Sequence, residues 1–221
     1  MTVRANSIIK MKLYFFVLII SIFTLSNQSE TWASDLIKLN LESKYRLEIP
    51  KSWKLHDENT KKALTRKTDS IFSAANIKQN AGESRILVAA NKYSGNLTIA
   101  TARLSVRDAK TLSQSDLKQM SQNDINEMSE GTEADLQKTS DAVGGHVRTK
   151  LISINRILIN NYFCISTELS KNYNGKKTMR NITDLYFLGD RYVELTVSYN
   201  QAASETYKSI VNKIGNSLTI N

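Results

Sequence analysis

Few side chains in this 221-residue sequence have the types and spacing that could do chemistry. There are two histidines, His56 and His146, and one cysteine, Cys164. His56-Asp57-Glu58 sets a nitrogen ligand beside two oxygen ligands, a mixture that suits Zn²⁺. Adjacent residues rarely converge on one ion, however, and Asp57 and Glu58 also suit a helix start, where carboxylates meet the positive end of the helix dipole. Cys164 would be a nucleophile if a histidine reached it. It falls inside an apolar strand, on the face shared by Tyr162, Ser166 and Glu168, where cysteine behaves as a small hydrophobe. His146 follows Gly144-Gly145 at a strand start and reads as a turn residue. No Gly-x-Ser-x-Gly elbow, phosphate-cradling glycine loop or zinc-type cysteine spacing occurs. The expectation is a protein that is not an enzyme, with no catalytic, cofactor-binding or metal-ligating residue and no cofactor.

The segment with the clearest meaning lies ahead of these residues. Arg4, Lys10 and Lys12 precede the apolar run Leu13 to Leu25, which is followed by the polar exit SNQSETWAS. A charged start, an apolar stretch and a small-residue exit are the three parts of a secretory signal peptide. The run is short of the roughly 20 residues of a membrane span. Thr31-Trp32-Ala33 sets small residues at the −3 and −1 positions, so residues 1–33 are read as a signal peptide cleaved before Ser34. An uncleaved anchor is the rival reading. No cysteine lies near the exit to accept a lipid, so the protein is not expected to be a lipoprotein. Residues 34–221 remain as a single globular domain without repeats or linkers.

That domain stays basic, since residues 1–33 carry off three basic groups and Glu30 from a chain of formal net charge +9. Positive charge permits weak peripheral contact with anionic membrane or cell-wall polymer, and otherwise aids solubility. No strand face interleaves aromatic with basic residues, so nucleic acid is not an expected partner. The best local basic patch, Lys171 to Lys177, reads as a solvated hairpin end. One cysteine excludes an internal disulfide and fits a bacterial periplasm. The sequons at Asn96 and Asn181 carry no weight in such a protein.

The elements follow from periodicity. Ile37, Leu39 and Leu41, then Tyr45, Leu47 and Ile49, alternate with polar residues around a Ser43-Lys44 turn, and Pro50 closes the pair. A helix is expected over 57–76, with Leu64, Ile71, Phe72 and Ala75 on one stripe. Strands are expected at 85–93 and 97–106, and a second helix over 113–130, interrupted by Gly131. Four strands follow, at 146–154, 157–169, 179–188 and 191–199, with turns at Asn174-Gly175 and Gly189-Asp190. A last helix over 202–216 carries the cleanest stripe, Tyr207, Ile210, Val211, Ile214 and Leu218. This is an α+β pattern, a mainly antiparallel sheet flanked by helices.

Three pieces resemble the PsbP-like α/β/α sandwich superfamily (Mog/PsbP/DcrB type), in its bacterial envelope members. They are an early strand ending in Pro then Trp, YRLEIPKSW (45–53), the strand-then-helix LTIATARLSV and LSQSDLKQM, and the late hairpin with its helix, LYFLGDRYVELTVSYN…YKSIVNKIGNSL. Together they span almost all of residues 34–221. The helix at 57–76 is a departure, because many members run directly into the next strand there. The resemblance implies a fold, and members that bind or stabilise other proteins; it implies no shared catalytic residue. The functional expectation is therefore a periplasmic or secreted, non-catalytic protein that binds an envelope protein partner. A hydrolase with a cryptic site and a toxin-neutralising immunity protein are the alternatives, and the sequence does not fix the oligomeric state. N-terminal sequencing of the exported protein should read Ser34 or a residue within a few of it; an intact segment 1–30 in an integral membrane fraction would favour the anchor.

Overall fold

Period-two alternation governs most of the chain in the computed structural model, which describes residues 35–74, 84–142, 144–175 and 177–221. The signal segment 1–33 and its cleavage point lie outside the described residues. β1 (Leu36–Leu41) and β2 (Tyr45–Pro50) pair antiparallel with Leu39 opposite Leu47. Tyr45, Leu47 and Ile49 turn inward and are buried, as the alternation requires. The turn lies one residue earlier than Ser43-Lys44: Glu42 and Ser43 sit at φ 49° and 54°, and Lys44 N–H donates to the Leu41 carbonyl at 3.1 Å. β3 (Lys54–Leu55) leads into α1 (Glu58–Ala74). Asp57 caps α1, its Oδ1 accepting the Thr60 N–H at 2.8 Å. The expected residues 75–76 of this helix lie outside the described residues.

Six further strands join β3 in one antiparallel sheet. They are β4 (Ser84–Ser94), β5 (Leu97–Asp108), β6 (Val147–Ile159), β7 (Tyr162–Tyr173), β8 (Lys177–Phe187) and β9 (Arg191–Asn200). Their order is β3-β4-β5-β9-β8-β7-β6. A short β10 (Thr219–Ile220) joins β1 and β2 in a second, three-stranded sheet.

Two expectations are corrected here. The break expected between 154 and 157 does not exist. β6 runs through it, and the chain turns instead at Asn160-Asn161, both left-handed at φ 48° and 70°. Asparagine tolerates that conformation better than most residues with a Cβ, and two in succession make a two-residue hairpin turn. The single helix over 113–130 is two helices, α2 (Gln114–Gln119) and α3 (Gln122–Ala142). Each opens on the same Ser-x-x-Asp box: Ser113 with Asp116, and Ser121 with Asp124, the Ser N–H reaching the Asp Oδ2 at 2.7 and 2.6 Å. Those hydrogen bonds hold both Asp carboxyls below the usual aspartate range. Gly131 does not interrupt α3, because it stands exposed on the outer face, where nothing depends on its missing side chain.

The expected α+β architecture is the one observed. α4 (Ser204–Ser217) and β2 cover one face of the large sheet, burying Ile210, Val211, Ile214 and Leu218 with Leu104, Val193, Leu195 and Val197. Cys164 and Tyr186 belong to this core. Their chain neighbours Ile165 and Phe187 point the other way and pack with Leu117, Ile125 and Ile154 beneath α2 and α3. Ile214 is 0% exposed. Ile214→Ala should cost about 2–5 kcal/mol in urea denaturation, whereas Ile152→Ala on the exposed edge of β6 should change stability by no more than about 0.5 kcal/mol.

Candidate functional site

The reactive side chains singled out by the sequence stay apart. His56 follows β3 at one edge of the large sheet, and its N–H donates to the Ala89 carbonyl at 2.8 Å. His146 precedes β6 at the other edge and is exposed. Six inter-strand steps separate those edges, on the order of 28 Å. Asp57 is occupied as the α1 cap, and the Thr60 N–H holds its pKa down. Among the described residues no group of three or more His, Cys, Asp or Glu could hold a metal ion. The basic tip is less solvated than expected. Lys171 is half-buried in β7, and burial, with Arg103 nearby, lowers its ammonium pKa. Lys177 Nζ donates to the Thr98 carbonyl.

Cys164 lies where the sequence places it, fully buried in β7. Burial, then the charge of Asp184, pushes its thiol up to about 12. The same register exposes a cluster that the sequence reading missed. On the face beneath α4, Asn155 of β6 stands opposite Ser166 of β7, and Ser166 opposite Asp184 of β8. One row along, Ser153 stands opposite Glu168, and Glu168 opposite Ile182. These side chains line a cleft of about 260 Å³ with Ile157, Ile159, Val197 and, from α4, Val211, Asn212, Gly215 and Asn216.

Asp184 is the chemically unusual member. It is 4% exposed, and its Oδ1 is buried without a hydrogen-bond partner. Burial raises its pKa, and the Ser166 hydroxyl offsets part of the shift. Glu168 differs, since Arg180 Nη1 lies 3.3 Å from its Oε1. Two residues along the same strand, Tyr186 is 1% exposed, its pKa raised by burial first and then by Cys164 and Asp184. Thiol and phenol therefore keep their protons at neutral pH, and no histidine lines the cleft. The arrangement offers two carboxyl groups, serine hydroxyls and asparagine amides against an apolar wall. A signal for it existed in the sequence: within NITDLYF, Asp184 shares the strand face of Ile182 and Tyr186, a carboxylate on an apolar face.

A three-layered α+β protein with an antiparallel sheet and a polar cleft under its last helix is the class these observations define. Its fold is PsbP-like. The chain is similar to the solution structure of cyanobacterial PsbP (CyanoP) from Synechocystis sp. PCC 6803, with a TM-score of 0.52 and 12% identity over 87% of this chain and 96% of that one. LpqN of Mycobacterium tuberculosis, described as involved in cell envelope biogenesis, matches at TM-score 0.42 and 13% identity over 80% of this chain and 83% of that one. PA94 of Pseudomonas aeruginosa, a protein of unknown function, matches at 0.38 and 11% over 85% and 99%. No family profile and no curated protein matches the sequence.

The raised pKa of Asp184 has a definite sign in stability. Its folded-state value lies above the ordinary 3.8, so the native state holds this proton more tightly than the unfolded chain. The contribution is fully present below the unfolded value of 3.8 and is lost as pH rises through the folded pKa. Asp184→Asn should flatten this dependence: its Tm should exceed the parent's near neutral pH, with the difference shrinking toward about pH 4. Equal pH profiles for parent and variant would show that burial does not perturb the carboxyl.

Proposed function

We propose that the protein is exported through a cleaved signal peptide, residues 1–33, and acts in the periplasm or outside the cell by binding an envelope protein rather than by catalysis. The observation that carries this reading is the cleft under α4. It offers a buried carboxyl with one oxygen left unpartnered, beside a thiol and a phenol that stay protonated. A nucleophilic or acid–base mechanism needs two or three reactive groups together, whereas a binding site needs complementary groups left unpaired until the partner arrives. The signal-peptide pattern of the N-terminus supports export. No described helix is long and apolar enough to cross a membrane. The basic balance of the chain supports weak peripheral contact with anionic phospholipid or cell-wall polymer.

Affinity capture from a detergent-free envelope fraction should recover one protein with the tagged chain, and tagging that protein should recover this chain in return. A panel of peptidoglycan, phospholipid, ester and peptide substrates should show no turnover. Turnover abolished by a single substitution at His56, His146, Cys164 or Asp184 would overturn the binder reading, as would failure of reciprocal capture.

A further inference from the structure

Gly215 is an unexpected residue for its position. It lies in the last turn of α4, buried and helical, where alanine would favour the helix by roughly 0.5–1 kcal/mol. No left-handed φ requires glycine there, and a Cβ would meet Asp184 Oδ2 at 3.8 Å, an ordinary contact with no clash. What the missing Cβ provides is open space over the carboxyl. Both residues line the same cleft, and Asp184 Oδ1 lacks a partner. The helix gives up propensity above a buried carboxyl whose Oδ1 no group in the fold satisfies.

We propose that this cleft binds a primary ammonium group carried on a short alkyl stem. An anion would meet the two carboxylates Asp184 and Glu168. A neutral alcohol would bring one donor and no charge to set against Asp184. An ammonium brings three donors on one atom and a full positive charge. Acceptors for it come from three adjacent strands, Asn155, Ser166 and Asp184, across one row of the sheet. A planar guanidinium fork is suited to both oxygens of one carboxylate rather than to acceptors spread over three strands. Ile157, Ile182 and Val211 supply an apolar wall for the stem. Glu168 already has Arg180 beside it, which leaves Asp184 as the counter-charge.

Free alkylamines and the lysine side chain of a protein share this chemistry. The inference rests on the binder reading but is tested apart from it. Isothermal titration of the purified protein with n-butylammonium chloride should show saturable binding, and n-butanol none. Asp184→Asn should weaken butylammonium about tenfold or more, as expected for loss of a charged hydrogen bond. Gly215→Ala keeps the charge and favours the helix, yet should weaken binding by narrowing the approach. Each variant's thermal melt verifies that it is folded. Tighter binding of Nα-acetyl-lysine methylamide than of butylammonium assigns the site to a protein lysine; the reverse order assigns it to a free amine. Absence of saturable butylammonium binding, unchanged affinity in Asp184→Asn, or equal binding of butanol would overturn the site. Failed protein capture with intact amine binding would retire only the protein partner, and the converse result would retire only this site.

Discussion

The apolar stripe of α4 must lie flat on the large sheet, and the rest of the domain is arranged around that contact. Ile210, Val211, Ile214 and Leu218 can leave water together only against a surface whose strands all turn apolar side chains the same way. Strict alternation on β5 and β9 supplies that surface through Ala102, Leu104 and Val106 opposite Val197, Leu195 and Val193. A one-residue slip of either strand would reverse it. Toward β6, β7 and β8 the same alternation brings polar residues under the helix, and the dry interface opens into the cleft. The core and the candidate site are thus two ends of one contact surface.

How much of this was legible depended on whether a feature is local. The β1–β2 pair, the Asn174-Gly175 and Gly189-Asp190 turns and the stripe of α4 are written in residues a few positions apart, and the sequence conveys them. The β6–β7 hairpin was misplaced because Asn160-Asn161 sits inside the apolar run ILINNYFC, which reads as one strand until both asparagines are allowed left-handed angles. The division between α2 and α3 was legible in the repeated Ser-x-x-Asp boxes but was masked by a continuous apolar arc. The cleft was not legible as a place. Asn155, Ser166, Asp184 and Gly215 lie on four elements, and only their register and the seating of α4 bring them together.

Asp184 shows how a domain of this size carries a destabilising feature. Burying a carboxyl with one unpartnered oxygen is unfavourable, and the Ser166 hydroxyl set opposite offsets part of that penalty. The surrounding core of fully buried branched side chains is large enough to hold that residue in place. At the proposed site, the group that costs stability in the free protein is the one a complementary charge would satisfy.

The β6–β7 turn has a part beyond reversing the chain. Asn160 Nδ2 donates to the carbonyls of Asn216 and Leu218 at 2.9 and 2.8 Å, at the exit of α4. Two residues later β10 pairs with β2, and the Asn221 N–H reaches the Lys44 carbonyl at 2.8 Å. The small sheet is therefore assembled from opposite ends of the domain, with nearly all of its residues between the two partners. A chain synthesised from its N-terminus cannot complete that sheet, or make these contacts at the end of the helix that walls the cleft, until residues 216–221 have emerged. The closing of the cleft's far wall is thus a late event, and a molecule lacking residues 216–221 would lose these contacts while retaining most of its strands.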